Sequence, residues 1–232
     1  MQVPGIKQRD EEWYKLRYSH LGSSEVGHII EIYEANHQTR PPDKVFKDLN
    51  VLEQCIKQFK NRPSEPNFLC SWGIAQEPNA LRTYLATKFT DDDFPKIETD
   101  SYYFYSWRDY NTPEENEVFC ERLSASPDGI VLREPRCTST LIEIKCPFGR
   151  VPQEGVVPKI YKNQLQYLME ILDLAKLHYV EYQPPMKRND FKQFFAVTEV
   201  QRDRFWWYKV KPWLFAFCKA WNELDRIKQL DS

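Results

Sequence analysis

Two short apolar segments constrain the fold of this chain more than any other feature. Residues 123–132 and 141–146 are rich in Ile, Leu and Val, and Glu134-Pro135-Arg136 lies between them. Segments of this length and composition are typical of strands, and the proline-bearing sequence between them is typical of a turn. The pattern predicts two neighbouring strands that run in opposite directions.

The order of the predicted elements indicates the fold class. Residues 72–88 and 158–172 have the apolar spacing of helices, whereas residues 177–183 and 192–200 alternate apolar and polar side chains, as half-buried strands do. Helices and strands are therefore interspersed along the chain. This order predicts a mixed α/β fold with a central mixed sheet flanked by helices.

The chain is predicted to form a single domain, residues 1–232, that begins with a helical segment over residues 1–65. Helices are expected from Asp10 to about Tyr33 and from Asp43 to about Phe59. The first is broken at Gly22-Ser23-Ser24, where a serine suits the N-cap of a new helix.

The last part of the chain, residues 203–230, is predicted to be a helical region that is interrupted or kinked near Pro212. Its aromatic side chains have helical spacing and no regular interleaving with basic residues. Packing in the core or against a subunit is therefore favoured over stacking on nucleic-acid bases. These aromatic residues are Trp206, Trp207, Trp213, Phe215, Phe217 and Trp221.

Composition excludes several function classes. No apolar run approaches the roughly 20 residues that cross a bilayer, and the first residues lack the apolar stretch of a signal peptide, so a soluble intracellular protein is expected. The six cysteines include no CxxC pair, which argues against a structural zinc site. The four histidines have neither a metal-binding nor a nucleophile-and-base spacing.

The formal charge of −2 hides an uneven distribution. Residues 91–121 contain ten acidic and two basic side chains, so the rest of the chain carries a net charge of +6. Phosphate binding needs a local positive surface rather than a positive total. The charge therefore permits a nucleic-acid ligand without requiring one. The acidic stretch itself is predicted to be strand fragments joined by a mobile loop.

Asp128, Glu143 and Lys145 form the strongest functional signal. Residues two apart in a strand share a face, so Glu143 and Lys145 project together, while Ile142 and Ile144 point into the opposite, apolar layer. Asp128 lies in a Pro-Asp-Gly bend, and Glu143 follows it by 15 positions. This spacing suits a hairpin that returns Glu143 beside Asp128.

Two carboxylates and a backbone carbonyl, such as that of Ile144, would make an oxygen cage suited to Mg²⁺ or Mn²⁺. Such an ion can hold a scissile phosphate, activate the attacking water and neutralise charge on the leaving oxygen. Lys145 is expected to stay protonated beside the carboxylates and to position the water or stabilise the transition state. An ordinary surface hairpin with a Glu–Lys pair has the same pattern, so the pattern alone leaves both interpretations open.

Six blocks in a fixed order add to this signal. They are Trp13-Tyr14-Lys15-Leu16-Arg17; Gly22-Ser23-Ser24-Glu25-Val26; Trp72-Gly73 with Glu77; Ser126-Pro127-Asp128-Gly129; Glu143-Ile144-Lys145-Cys146-Pro147; and Tyr161-Lys162-Asn163-Gln164-Leu165-Gln166-Tyr167. Together they resemble the phage lambda exonuclease and YqaJ-like viral recombinase family of the PD-(D/E)XK nuclease superfamily. The resemblance covers about residues 10–175 and implies a restriction-endonuclease-like core.

The resemblance implies roles for further residues. Asp128 and Glu143 would ligate metal and Lys145 would be catalytic. Glu77 would approach the metal ligands and hold a second ion, giving two ions in all. Gln164 would orient the water or the scissile phosphate, with Tyr161 one helical turn away on the same face.

The resemblance also implies a pocket for a terminal 5′-phosphate. Arg17 and Ser24 would hold this phosphate, since guanidinium forks match phosphate and a helix N-terminus presents free N–H groups. Ser126 is expected either to touch phosphate or to cap a turn.

The function implied is a Mg²⁺-dependent exonuclease that degrades linear double-stranded DNA from its ends, 5′ to 3′, in viral recombination or genome processing. A single-strand annealing protein is the implied partner, a trimeric ring the implied assembly, and the host cytoplasm or nucleus the implied location. Residues 91–121 would be an acidic insertion facing away from the duplex or guarding the entrance. Two alternatives stay open: an endonuclease or broad alkaline nuclease of the same fold, and a catalytically inactive DNA-binding protein.

Overall fold

Two sheets and the helices packed against them make up the described part of the chain. The structure, a computed structural model, describes residues 2–3, 6–60, 67–90, 93–108 and 117–230. The helices are α1 (Glu11–Ser19), α2 (Val26–Asn36), α3 (Pro42–Val45), α4 (Leu49–Lys60), α5 (Phe68–Lys88), α6 (Lys159–Leu172) and α7 (Arg204–Leu230). The strands are β1 (Gln2–Val3), β2 (Ile97–Glu98), β3 (Tyr102–Arg108), β4 (Glu117–Ala125), β5 (Gly129–Val131), β6 (Thr140–Lys145), β7 (Lys176–Gln183) and β8 (Phe194–Gln201).

The central sheet has the strand order β2-β5-β6-β7-β8. Strands β6 and β7 are parallel, whereas the other neighbours are antiparallel. Parallel strands cannot be joined by a tight turn, so α6 makes the crossover between β6 and β7. The predicted mixed α/β fold, with a central mixed sheet flanked by helices, is confirmed.

The predicted single strand over residues 123–132 is wrong. Strand β4 pairs with β3 in a second sheet of order β1-β3-β4, and β5 pairs with β6 in the central sheet. The chain changes sheets at residues 126–128, where Pro127 has no N–H for a ladder and Ser126 Oγ donates to the carbonyl of Ser101 (3.1 Å). Asp128 therefore lies at the junction of the two sheets.

Helices cover both faces of the central sheet. On one face, Ile142, Ile144 and Val180 pack against Ala80 and Tyr84 of α5. On the other, β6 and β7 contribute leucines to a core that includes α2, α6 and α7. The prediction that residues 177–183 form a half-buried strand is wrong, because β7 lies inside the sheet between two helical layers and is almost wholly buried. The edge strand β8 is half-buried as expected.

Several helix boundaries differ from prediction. The predicted helix over residues 43–59 is two helices, α3 and α4, and the chain begins with β1 rather than in a helical segment. Neither Ser23 nor Ser24 caps α2: Glu25 precedes its first residue and makes no capping bond, because its carboxylate is bonded to Arg17. Helix α5 starts at Phe68, four residues early, because the Asn67 side chain accepts a bond from Cys70 N and caps it.

Helix α7 runs from Arg204 to Leu230 without the interruption predicted at Pro212. A proline removes one bond to the carbonyl four residues earlier. Pro212 and Tyr208 both lie on the exposed side of the helix, where water can satisfy that carbonyl. The predicted core role of the aromatic residues is confirmed for those that are buried: Trp207, Trp213, Phe217 and Trp221.

The acidic stretch contains strands β2 and β3, as predicted. Residues 91–92 and 109–116, on which the expected loop and its position relative to DNA depend, lie outside the described residues. Residues 61–65 of the predicted N-terminal segment also lie outside them. Among the described helices, none combines the length and the apolar character needed to span a bilayer.

Candidate active site

Asp128 lies beside β6, as the hairpin predicted. Gly129 is the register partner of Ile142, and the backbone N–H of Ile144 donates to Asp128 Oδ2 at 2.7 Å. This bond holds the Asp128 carboxylate beside the part of β6 that carries Glu143 and Lys145. The Ile144 side chain points into the opposite, apolar layer.

Glu143 and Lys145 share one face of β6, and their side chains are in contact. Glu143 Oε1 accepts a bond from Lys145 Nζ at 2.5 Å and another from Gln164 Nε2 at 2.6 Å. Lys145 Nζ also lies 5.3 Å from the ring centroid of Tyr161. Gln164 and Tyr161 are one turn apart on α6, so the helix presents both to the strand. The structure thus brings together these four predicted site residues.

The pKa values of the charged groups in this site are shifted by burial and by the neighbouring charges. Burial, followed by the charge of Asp128, raises the pKa of Glu143 from 4.5 to about 7. Burial also raises the pKa of Asp128. Burial alone would lower the pKa of Lys145, but the charges of Glu143 and Asp128 outweigh it and raise the pKa. Lys145 is therefore protonated, and the carboxylates outnumber it.

Glu77 reaches the same site from α5 but is bonded to a residue that the sequence did not indicate. The Arg9 guanidinium donates through Nη2 to Glu77 Oε2. Burial and then the charge of Asp128 raise the pKa of Glu77, while Arg9 and Lys145 lower it. Gln8, next to Arg9, donates to the carbonyl of Pro127 at 2.8 Å. The segment before α1 therefore belongs to the site.

Two carboxylates of the site are suitable ligands for a hard divalent cation. Asp128 and Glu143 offer carboxylate oxygens, the ligands that Mg²⁺ prefers, and burial raises the pKa of both although the charge of Lys145 acts to lower it. Across the described ranges, no group of three or more His, Cys, Asp or Glu side chains is close enough to form a metal site. Glu77 is bonded to Arg9 and adds no third carboxylate ligand in this arrangement.

Arg17 and Ser24 lie together, in a pocket that also contains Glu25. Arg17 Nη2 donates to Glu25 Oε1 at 3.0 Å and lies 3.5 Å from Ser24 Oγ. A Cβ at Gly22 would come within 2.7 Å of Glu25 Oε2, so a side chain at position 22 would displace the end of the Glu25 side chain. The structure brings Arg17 and Ser24 together, with the Glu25 carboxylate bonded to the guanidinium.

Trp13 connects this pocket to the sheet junction. The Arg17 guanidinium lies 4.5 Å from the Trp13 ring centroid, and Trp13 Nε1 donates to Ser126 Oγ at 3.0 Å. Because Ser126 donates its own proton to Ser101, the geometry favours the turn-stabilising alternative for Ser126 over a phosphate contact.

A second group of polar side chains adjoins the site on β7. Glu181 is opposite Lys145 in register, is 1% exposed, and accepts bonds from Arg150 and from the Tyr179 hydroxyl. Gln183, on the same strand, donates to three carbonyls of the loop after β6, those of Pro147, Phe148 and Arg150. The sequence analysis did not identify this group, because Arg150 is 31 positions from Glu181 and no local pattern relates them.

Comparison with known proteins agrees with this geometry. The YqaJ-like viral recombinase domain matches residues 12–175, more than half of the chain. The chain belongs to this family. The matched residues include those that form the site on α1, α5, β6 and α6, and the resemblance inferred from the sequence blocks is confirmed.

Two solved structures similar to this YqaJ-like chain are of one exonuclease. An alkaline exonuclease (LHK-Exo) from Laribacter hongkongensis has a TM-score of 0.61 and 21% identity, over 96% of this chain and 98% of that one. The same enzyme in complex with dAMP gives a TM-score of 0.61 and 18% identity, over 96% and 98%. At these identities the likeness shows a shared fold. No curated protein matches the chain.

Proposed function

We propose that this YqaJ-like protein is a metal-dependent deoxyribonuclease that hydrolyses phosphodiester bonds at the ends of linear double-stranded DNA. The observation that carries the proposal is the convergence of Asp128, Glu143, Lys145 and Gln164 at one buried edge of the sheet. Buried carboxylates in excess of their cations are unfavourable unless a metal ion or substrate compensates them. A protein that only binds DNA has no use for this arrangement.

Asp128, Glu143 and the Ile144 carbonyl would hold Mg²⁺, for which Mn²⁺ can substitute. When bound, the ion supplies Lewis-acid polarisation of a phosphate oxygen and a more acidic water. Lys145, held protonated by the carboxylates, donates hydrogen bonds to the oxygen that gains negative charge. Gln164 is fixed by Glu143 and orients the water or the scissile phosphate, while Tyr161 lies beside the Lys145 ammonium group and is positioned to contact phosphate.

The preference for DNA ends is proposed from the Arg17 pocket. Arg17 and the exposed Ser24 would bind a terminal 5′-phosphate, so digestion would run 5′ to 3′. The phosphate must compete with Glu25 for the guanidinium. A solved relative of the same fold is an exonuclease crystallised with dAMP, a mononucleotide of the kind that end-directed digestion releases.

Digestion of end-labelled DNA tests the activity. Linear duplex labelled at the 5′ or 3′ end is incubated with and without Mg²⁺, beside covalently closed circular DNA. We expect Mg²⁺-dependent release of the 5′ label first and no cleavage of the circle. Rapid nicking of the circle would establish the endonuclease alternative, and no cleavage of any substrate would establish the inactive DNA-binding alternative.

The variant Arg17→Ala tests the pocket. Loss of a charge-assisted contact should reduce the preference for 5′-phosphorylated over 5′-hydroxyl ends by about tenfold, without a matching loss on 5′-hydroxyl ends. Lys15→Ala is the matched control, because Lys15 is an exposed cation on the same helix, paired with Glu11. An unchanged preference in Arg17→Ala would remove the pocket from the proposal.

The assembly and the partner stay predictions. A trimeric ring would explain processive digestion by enclosing the duplex, and multi-angle light scattering would measure it. A single-strand annealing protein would act on the 3′ overhangs that this digestion leaves.

A further inference from the structure

The loop between β7 and β8, residues 184–193, is held against the loop that follows β6. Gln183 is 3% exposed and donates to three carbonyls of the loop after β6. Its side-chain oxygen accepts a bond from Asn189 at 3.4 Å, and the Asn189 side chain in turn accepts a bond from Met186 N at 2.7 Å. The two loops are therefore joined through one buried amide.

This docking places an arginine of the second loop over an aromatic ring of the first. The Arg188 guanidinium carbon lies 3.7 Å from the Phe148 ring centroid, a cation–π contact. Phe148 packs edge-on against Phe68 and Trp72 of α5, with ring centroids 5.2 Å apart in both pairs. Arg188 is exposed, and in the part of the chain that the structure describes it pairs with no carboxylate. These four residues form a layered group, which we name the Arg188 platform.

The Arg188 platform adjoins the candidate active site. Phe148 follows Lys145 by three residues, on the loop that begins where β6 ends. Trp72 precedes Glu77 by five residues on α5, which is about 8 Å along the helix axis. The platform therefore lies beside the position that the scissile phosphate would occupy.

The chemistry of the platform suits a nucleobase better than a phosphate. A guanidinium needs no ring beneath it to bind phosphate, whereas planar cations and aromatic rings both stack on bases. Bases inside a duplex stack on one another, so only an unpaired base at a DNA end can reach such a group. Stacking is tolerant of sequence, as digestion from DNA ends requires. The exposed Lys187 and Lys192 of the same loop add positive charge, which suits a polyanionic strand.

We infer that the Arg188 platform stacks on an unpaired nucleobase next to the scissile phosphate and so holds the DNA end in the active site. This inference rests on the proposed nuclease function and adds a contact to a base, whereas Arg17 and Lys145 would contact phosphate. Arg188 is then a substrate-binding residue. Phe148 is a positioning residue, because it holds the guanidinium from below.

Equilibrium binding in EDTA tests the inference, because DNA is then bound without metal-dependent cleavage. Fluorescence anisotropy compares two labelled duplexes that end in one unpaired 5′ nucleotide, which carries its base in one duplex and is abasic in the other. The wild type should bind the duplex with the base about tenfold more tightly. Arg188→Ala should reduce this ratio to about one. Arg188→Lys should retain only part of it, because an ammonium group is not planar.

The comparison of two duplexes of equal charge separates stacking from electrostatic attraction. Lys187→Ala is the matched control: it removes an exposed neighbouring cation, so it should weaken binding of both duplexes and leave their ratio unchanged. Circular dichroism verifies that each variant is folded. Equal binding of the two duplexes by the wild type, or an unchanged ratio in Arg188→Ala, would overturn the platform. A wild type that binds neither duplex at low ionic strength would instead contradict the proposed function.

Discussion

Two clusters of charged side chains lie next to each other at strands β6 and β7, and they are balanced differently. In the acidic cluster, defined as Glu77, Asp128, Glu143 and Lys145, burial and mutual repulsion raise the pKa of each carboxylate. In the paired cluster, defined as Arg150, Tyr179 and Glu181, a guanidinium fork and a hydroxyl bond to one buried carboxylate. Lys145 and Glu181 are register partners, so the clusters are adjacent.

The difference distinguishes charged side chains that stabilise the fold from charged side chains that are proposed to act in the reaction. In the paired cluster every charge of the described side chains has a bonded counter-charge, and the result is a fixed loop after β6. In the acidic cluster the carboxylates exceed the cations, which is unfavourable for folding but suited to binding a metal ion and an anionic substrate. The two clusters should therefore respond in opposite ways to the loss of a charge.

The largest expected effect is on activity, in the acidic cluster. Lys145→Ala should reduce Mg²⁺-dependent release of nucleotides from linear duplex by about 100- to 1,000-fold, because it removes a donor to the oxygen that gains charge. Its circular dichroism spectrum should stay that of a folded protein. Lys176→Ala is the matched control, since Lys176 is a half-exposed lysine paired with Glu199 on the same sheet. Full activity in Lys145→Ala would reject the assignment of the site.

The next effect is on stability, in the paired cluster. Arg150→Ala leaves the Glu181 carboxylate buried with only the Tyr179 hydroxyl among its described partners. The free energy of unfolding should fall by roughly 2–3 kcal/mol, less than for a fully buried pair because the Arg150 side chain is 40% exposed. Urea denaturation measures the loss. If it is below the loss in an exposed control such as Lys228→Ala, the paired cluster is not structural.

The smallest expected effect is the change in the free energy of unfolding with pH in the absence of metal. Because the pKa of Glu143 rises from 4.5 to about 7, the folded protein binds more protons than the unfolded chain between these values. The free energy of unfolding in EDTA should therefore fall, by roughly 1–2 kcal/mol, as the pH rises from about 4.5 to 7. Asp128→Asn removes part of the repulsion and should reduce this fall.

Asp173→Asn is the control for the pH experiment, since it changes an exposed Asp to Asn. Denaturation in urea at pH 5 and pH 7.5 compares the three proteins. A wild type that is more stable at the higher pH would show that the acidic cluster is compensated without metal.

The sequence predicts the parts of the site that depend on local periodicity. The alternation of a strand is enough to place Glu143 and Lys145 on one face and Ile144 on the other. The spacing from Asp128 is enough to predict the hairpin. The family blocks add Gln164 and Tyr161, whose side chains the structure brings to Glu143 and Lys145.

Other parts depend on contacts between distant residues. Arg150 and Glu181 are 31 positions apart, and no local pattern relates them. Arg9 meets Glu77 because of a turn with a positive φ, which the sequence would favour only at a glycine. The strand predicted over residues 123–132 is divided between two sheets, since strand propensity does not indicate which neighbour each half selects.

The bond from Gln8 to the Pro127 carbonyl has a practical consequence for protein engineering. The family match starts at residue 12, so Gln8, Arg9 and the Asp10 cap all lie upstream of it. A truncated chain that begins at the family boundary would keep the carboxylates and Lys145 but lose the bond from Gln8 to the sheet junction, the bond from Arg9 to Glu77 on α5 and the cap of α1. Expression of such a truncation, or fusion of a bulky tag to the first residues, would perturb the candidate active site from outside the matched domain.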